Sequence, residues 1–293
     1  MFEKDLLKAK RVLITGGGTG LGRSTGDRYL ALGADLVICG RREAVLKEAA
    51  DRFARECGAQ VETHVCDVRS ADAVEAMMEL IFARRPLDVL VNNAAGNFIA
   101  QTHKLSTRAV DAVLGIVLHG SAYCTIAAGR RWIEAGRGGT VLSILTLSAL
   151  QGGAFTVPSA IAKAGVLAMT KSLAVEWGPK GIRLVAVAPG PFPTPGAWSR
   201  LMPQERQAAD PKRGIPLRRY GEHIELANLC SYLVSDQAAY ITGECVVIDG
   251  GKRHLAGSSD VGMLDWPTSS GQRFASVRRQ TNHEREDNRD VVG

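Results

Sequence analysis

Seven short apolar stretches alternate with longer helical patterns along most of the chain, and this alternation restricts the fold more than any other feature. Val12–Thr15, Leu36–Cys39, Val61–Val65, Val89–Val91, Thr140–Ile144, Arg183–Ala186 and Cys245–Ile248 have the length and composition of strands. Helical patterns occupy 21–32, 42–57, 71–84, 107–134, 155–177 and 222–234. Two parallel strands need a crossover of roughly a dozen residues between them, and a helix is the usual one. The pattern therefore predicts an α/β fold: a single domain built on a seven-stranded parallel sheet with helices on both faces.

The alternation stops near the C-terminus, so residues 1–251 are expected to form the domain and 252–293 a polar, largely disordered tail, docked through the aromatic Trp266. Within the domain, Pro189 to Pro216 is proline-rich and far longer than a routine connection, which predicts a substrate lid near 190–217. No run of eighteen apolar residues is present, so no membrane span is expected. The short charged stretch before the first glycine cluster leaves no room for a leader, and the C-terminal Val-Val-Gly is no peroxisomal address. Cytoplasm is the expectation by exclusion.

Six cysteines, Cys39, Cys57, Cys66, Cys124, Cys230 and Cys245, show no paired spacing, and the six histidines show none either. Reduced thiols fit this better than disulfides, and no metal site is expected. The net charge of +6 suits an enzyme of polyanionic ligands but selects none, and no nucleic-acid partner is expected.

Between the first strand and the first helix lies Thr15-Gly-Gly-Gly-Thr-Gly-Leu-Gly22. Gly16, Gly18, Gly20 and Gly22 permit a tight turn, and with Thr19 and Leu21 they would bring backbone amides and a helix N-terminus to a pyrophosphate. The second strand ends in Arg41-Arg42, where an acidic residue would accept from a free ribose hydroxyl. Arg41 instead offers a fork to a 2′-phosphate, which favours NADP(H) over NAD(H). Asp67 and Val68 close the third strand in a position for the adenine, and Asn93, Ala94 and Ala95 close the fourth.

Thr15–Gly22, Asn92–Gly96, Lys163 and Pro189-Gly-Pro followed by Thr194 together resemble the short-chain dehydrogenase/reductase family over about residues 10–251. The resemblance implies a Rossmann fold, a homotetramer, and cofactor contacts from Pro189, Gly190 and Phe192 as well as Lys163. In that family a tyrosine four residues before the lysine exchanges the proton, and a serine orients the substrate. Here Ser159 stands at the tyrosine's position and Thr146 at the serine's.

Asn93–Phe98, Pro158–Gly165 and Pro189-Gly-Pro followed by Gly196–Leu201 look closest to the 2,4-dienoyl-CoA reductase branch. That branch also has a serine four residues before its lysine, and its mitochondrial members carry a tyrosine eleven residues further upstream. Position 148 in this chain is a serine, so neither tyrosine is present. Peroxisomal members rely on an aspartate and water, whereas 114–120 here has no carboxylate and only His119, read as a packed or interface residue. By the same resemblance Asn97 binds the thioester oxygen, and Arg41, Arg69, Phe98, Ser106 and Arg200 fall at positions that touch cofactor or acyl-CoA.

Reduction of a ketone needs an acid at the oxygen, and loss of the phenol should cost several powers of ten. Reduction of a conjugated thioester needs chiefly an oxyanion hole, for which Asn97 with Ser148 or Thr146 are the candidate donors. The expectation is an NADPH-dependent reductase of 2,4-dienoyl-CoA or related enoyl-CoA thioesters in fatty-acid degradation. A carbonyl reductase or alcohol dehydrogenase of the same family, and a catalytically inactive NADP-binding protein, are the alternatives.

Overall fold

The computed structural model describes residues 3–194, 196 and 210–255. Seven strands form one sheet: β1 Arg11–Thr15, β2 Asp35–Gly40, β3 Glu62–Val65, β4 Val89–Asn92, β5 Gly139–Ile144, β6 Ile182–Pro189 and β7 Cys245–Ile248. All neighbours are parallel, in the order β3-β2-β1-β4-β5-β6-β7. The order reverses direction beside β1, and such a switch point opens a crevice at the carboxyl ends of β1 and β4. The alternation in the sequence therefore predicted the sheet and its parallel sense correctly.

Period-two side-chain alternation divides the strands between two cores. Val12, Ile14, Leu36, Ile38, Leu142 and Val185 pack on one face beneath α1 Gly20–Ala31 and α2 Glu43–Cys57. Leu13, Val37, Leu90, Val141 and Leu184 pack on the other, beneath α3 Ala71–Arg84 and the long segment from α4 Thr107–Leu114 to α5 Gly120–Glu134. The remaining helices are α6 Ser148–Gln151, α7 Val157–Trp177, α8 His223–Val234 and α9 Lys252–Leu255. α7 starts with Pro158 in its first turn, where a missing N–H costs nothing. α8 starts with a capping box between Glu222 and Glu225.

Two features depart from the expected elements. The helix expected over 107–134 is interrupted by a π turn at Gly115–His119, just before Gly120. A β-carbon on Gly120 would lie 2.6 Å from Val68 Cγ2, so the glycine brings the start of α5 directly onto the turn that follows β3. Thr107–Glu134 is long and apolar enough to cross a bilayer by length and composition, yet half of its most apolar window is buried inside this domain. The second departure is α6, too short for any periodicity to announce it.

The amino ends of the strands are tied by Arg11, 1% exposed, which donates to the Ile81 carbonyl at 2.7 Å and to Glu62 at 2.5 Å. The described residues up to Arg253 form one compact unit. The expected tail beyond residue 255 lies outside the described residues, as do 195 and 197–209 of the expected lid.

Candidate active site

The carboxyl ends of β1, β4, β5 and β6 carry most of the residues singled out in the sequence, and the backbone explains how each is held. Gly16 and Gly20 both adopt left-handed conformations, φ +67° and +55°, which a side chain would oppose. A β-carbon on Gly22 would collide with the Asn93 side-chain nitrogen and lie 2.7 Å from the Gly16 carbonyl. Thr19, the N-cap of α1, makes no side-chain cap, so the first-turn amides are not taken up by it. A bare, positively polarised helix terminus behind a glycine turn fits a dinucleotide pyrophosphate. Thr194 overhangs the turn, its methyl 3.5 Å from where a Gly20 β-carbon would stand.

Thr15 and Asn93 prove to be braces. Thr15, 2% exposed, accepts from the amides of Asn93 and Ala94 at 3.0 Å and donates to the Val91 carbonyl. Asn93 Nδ2 donates to the carbonyls of Thr15 and Gly16 at 2.9 and 3.2 Å. The Thr15 side chain thus faces β4 and braces the turn expected to hold the cofactor. Gly18 and Val68 are buried, Leu21 packs on the core, and Ala95 is exposed at the mouth.

At the ribose end, Arg41 and Arg42 are both exposed. Among the described residues no ion pair holds Arg41, which leaves its guanidinium available to a phosphate. Asp67 is forked by Arg69, with Nε at 3.0 and 2.9 Å from the two carboxylate oxygens. These hydrogen bonds hold the Asp67 carboxyl below its ordinary range. Arg69, expected at the substrate, is therefore engaged with the residue expected at the adenine.

Lys163 and Ser159 lie one turn apart on α7, 4% and 3% exposed. Lys163 Nζ donates to the Ile144 carbonyl at the end of β5, and burial lowers its pKa to about 8. Thr146 and Ser148, where β5 passes into α6, bring their hydroxyls within 2.7 Å. Asn97 Oδ1 accepts from the Phe98 amide at 2.9 Å, which leaves the Asn97 NH₂ as the outward donor. These positions offer hydroxyl, amide and ammonium donors, and no phenol stands at 148 or 159.

Other expected residues are placed less directly. Phe98 packs against Val113, Val117 and Ala162, forming an apolar wall. Ser106 is the N-cap of α4, accepting from the Ala109 amide at 3.2 Å. Arg200 lies outside the described residues. His119 is exposed and faces Tyr123, ring centroids 6.0 Å apart. Pro189 ends β6, Gly190 donates to Ile248, and Phe192 packs on the core.

Sequence reasoning missed two features. His223 bridges Ser24 of α1 and the Pro193 carbonyl, 2.8 Å to each, joining the cofactor helix to the root of the expected lid. Phe155, between α6 and α7, adopts φ +65°. No spacing signals a cross-chain histidine bridge or a left-handed phenylalanine.

A doubly wound parallel sheet, a glycine turn at its switch point and a buried lysine beside it define a nicotinamide-dinucleotide oxidoreductase site. The family model described as enoyl-(acyl carrier protein) reductase matches residues 16–253. A Bacillus subtilis protein named "Probable 2,4-dienoyl-CoA reductase", of the (2E)-enoyl-CoA-producing kind, is 41% identical over 84% of this chain and 97% of its own length. A Caenorhabditis elegans protein named "Probable 2,4-dienoyl-CoA reductase 3", of the (3E)-enoyl-CoA-producing kind, is 40% identical over 89% of this chain and 86% of its own. A crystal structure of a Bacillus anthracis short-chain dehydrogenase superposes with TM-score 0.76 at 42% identity, covering 83% and 96% of the two chains. The chain belongs to the short-chain dehydrogenase/reductase family.

Proposed function

We propose that the protein reduces 2,4-dienoyl-CoA or a related enoyl-CoA thioester with NADPH, in the degradation of unsaturated fatty acids. The observation that carries this reading is the donor set itself. Asn97 Nδ2 and the Thr146–Ser148 hydroxyl pair can donate to an oxygen that becomes negative, while positions 148 and 159 offer no phenolic acid. The dinucleotide, when bound, supplies the hydride. Asn97 and Ser148 hold the thioester oxygen as charge moves onto it from the chain. Lys163, fixed through the Ile144 carbonyl, orients the ribose and keeps the pocket positive.

Arg41 supports the preference for the phosphorylated cofactor, because it is exposed and among the described residues no ion pair holds its guanidinium. With no phenol at 148 or 159, solvent delivers the proton. A dienolate protonated in this way takes it at the carbon next to the thioester, giving the (3E)-enoyl product. Exposed Ile126, Ile161 and Val175 on α5 and α7 support a homotetramer, and we read the enzyme as cytoplasmic.

Loss of NADPH absorbance is measured with 2,4-hexadienoyl-CoA, crotonyl-CoA and a 3-oxoacyl-CoA, with chromatography of the product. Turnover of the first, giving the (3E)-enoyl thioester, is expected. Turnover of the 3-oxoacyl-CoA alone would move the protein to the carbonyl reductases, and silence on all three would leave an NADP-binding protein.

A further inference from the structure

Three residues other than glycine have positive φ among the described residues, Ala9, Phe155 and Arg218, and Phe155 is the one that stands at the active site. A bulky side chain is disfavoured in the left-handed region, and such a conformation persists only where the surroundings over-determine it. The turn that carries Phe155 is held at several points. The Gly152 amide donates to the Ser148 carbonyl at 3.0 Å, closing α6. The Ala100 amide donates to the Phe155 carbonyl at 3.0 Å, and the Ala160 amide to the Thr156 carbonyl at 3.0 Å. Gly153 lies so close to Ser148 that a β-carbon on it would stand 3.1 Å from Ser148 Cβ.

Burial does not repay this conformation, since Phe155 is 47% exposed. Its backbone joins the two walls of the cleft. One wall is 97–100, with Asn97 three residues before Ala100 and therefore within about 10 Å along the chain. The other is the 146–159 segment with Thr146, Ser148 and Ser159. An aromatic ring kept half in solvent at this junction has an apolar face to offer a ligand, and an acyl chain anchored at Asn97 is an apolar ligand of the right reach.

We propose that Phe155 is a specificity-determining residue, whose ring receives the acyl chain of the thioester and distinguishes acyl-CoA from CoA. This rests on the thioester reading above. The left-handed turn presents the ring, and the contact it makes is with the chain rather than with the CoA phosphates.

The test is calorimetric titration of the full chain with hexanoyl-CoA, which is not reduced, and with CoA lacking an acyl group. Hexanoyl-CoA should bind about tenfold more tightly than CoA, as an apolar contact of ring size implies. Phe155→Ala removes the ring, and Phe155→Asn removes it with a residue that tolerates the left-handed backbone, which protects the test against misfolding. In both, the tenfold gap should fall to about twofold with CoA affinity unchanged, while Phe155→Tyr keeps the gap. A gap that survives Phe155→Asn overturns the role of the ring and leaves the thioester reading standing. A parent protein that binds hexanoyl-CoA no better than CoA overturns both.

Discussion

Replacing Lys163 by methionine should make the protein more stable while it loses turnover. Lys163 is 4% exposed, and burial lowers its pKa from 10.5 to about 8. That drop corresponds to about 3 kcal/mol of destabilisation while the amine is charged in the fold. Methionine has similar length and no charge, so the cost disappears. The lost hydrogen bond to the Ile144 carbonyl returns about 1 kcal/mol, leaving a net gain of about 2 kcal/mol near neutral pH. The sign of the pH dependence follows from the lowered folded-state pKa. The cost is complete below about pH 8 and vanishes as pH rises toward 10.5, where the unfolded chain also gives up its proton. By about pH 9.5 roughly 2 kcal/mol of it has gone, and the two proteins should unfold together. Urea denaturation of the cofactor-free proteins at both pH values measures this directly. A stability difference that is the same at about pH 7 and pH 9.5 would refute the argument, because it would show that Lys163 carries no burial-shifted charge.

Two further substitutions examine the rest of the site. Arg41→Ala should raise the KM for NADPH roughly 10- to 100-fold through loss of a charge-assisted contact, with the KM for NADH within about twofold; equal effects on both would remove the 2′-phosphate assignment. Ser148→Tyr restores a phenol where the mitochondrial branch has one, beside Thr146 and close to Gly153. Steady-state rates with 2,4-hexadienoyl-CoA should hold or rise, because the phenol can donate to the thioester oxygen in place of the serine, and a fall of roughly tenfold or more would mean that a phenol at 148 does not reach that oxygen.

The regular elements were legible because their signals are local. Strands of four to eight residues between helical patterns specify a parallel sheet wherever they occur, and Cys245–Ile248 was placed to the residue. The glycine turn was legible for the same reason, since glycine adopts the left-handed angles at 16 and 20 without the steric cost that a side chain brings. Boundaries drifted where the deciding contact is distant. β6 runs on to Pro189 because Val187, Ala188 and Pro189 pair with β7, whose residues lie far along the chain.

What the sequence determined by itself was therefore the fold, the cofactor turn and the positions where a phenol is missing. The tertiary structure decided what the remaining donors do. Thr15 braces β4, Asn97 presents its NH₂ because Phe98 takes its carbonyl, and Arg69 is tied to Asp67. It also decided that Phe155 is left-handed and half in solvent, and that Lys163 is buried deeply enough to lose part of its basicity. Periodicity reports which face of an element is apolar. Orientation, desolvation and backbone strain depend on groups that meet only after the sheet has closed, so no reading along the chain could supply them.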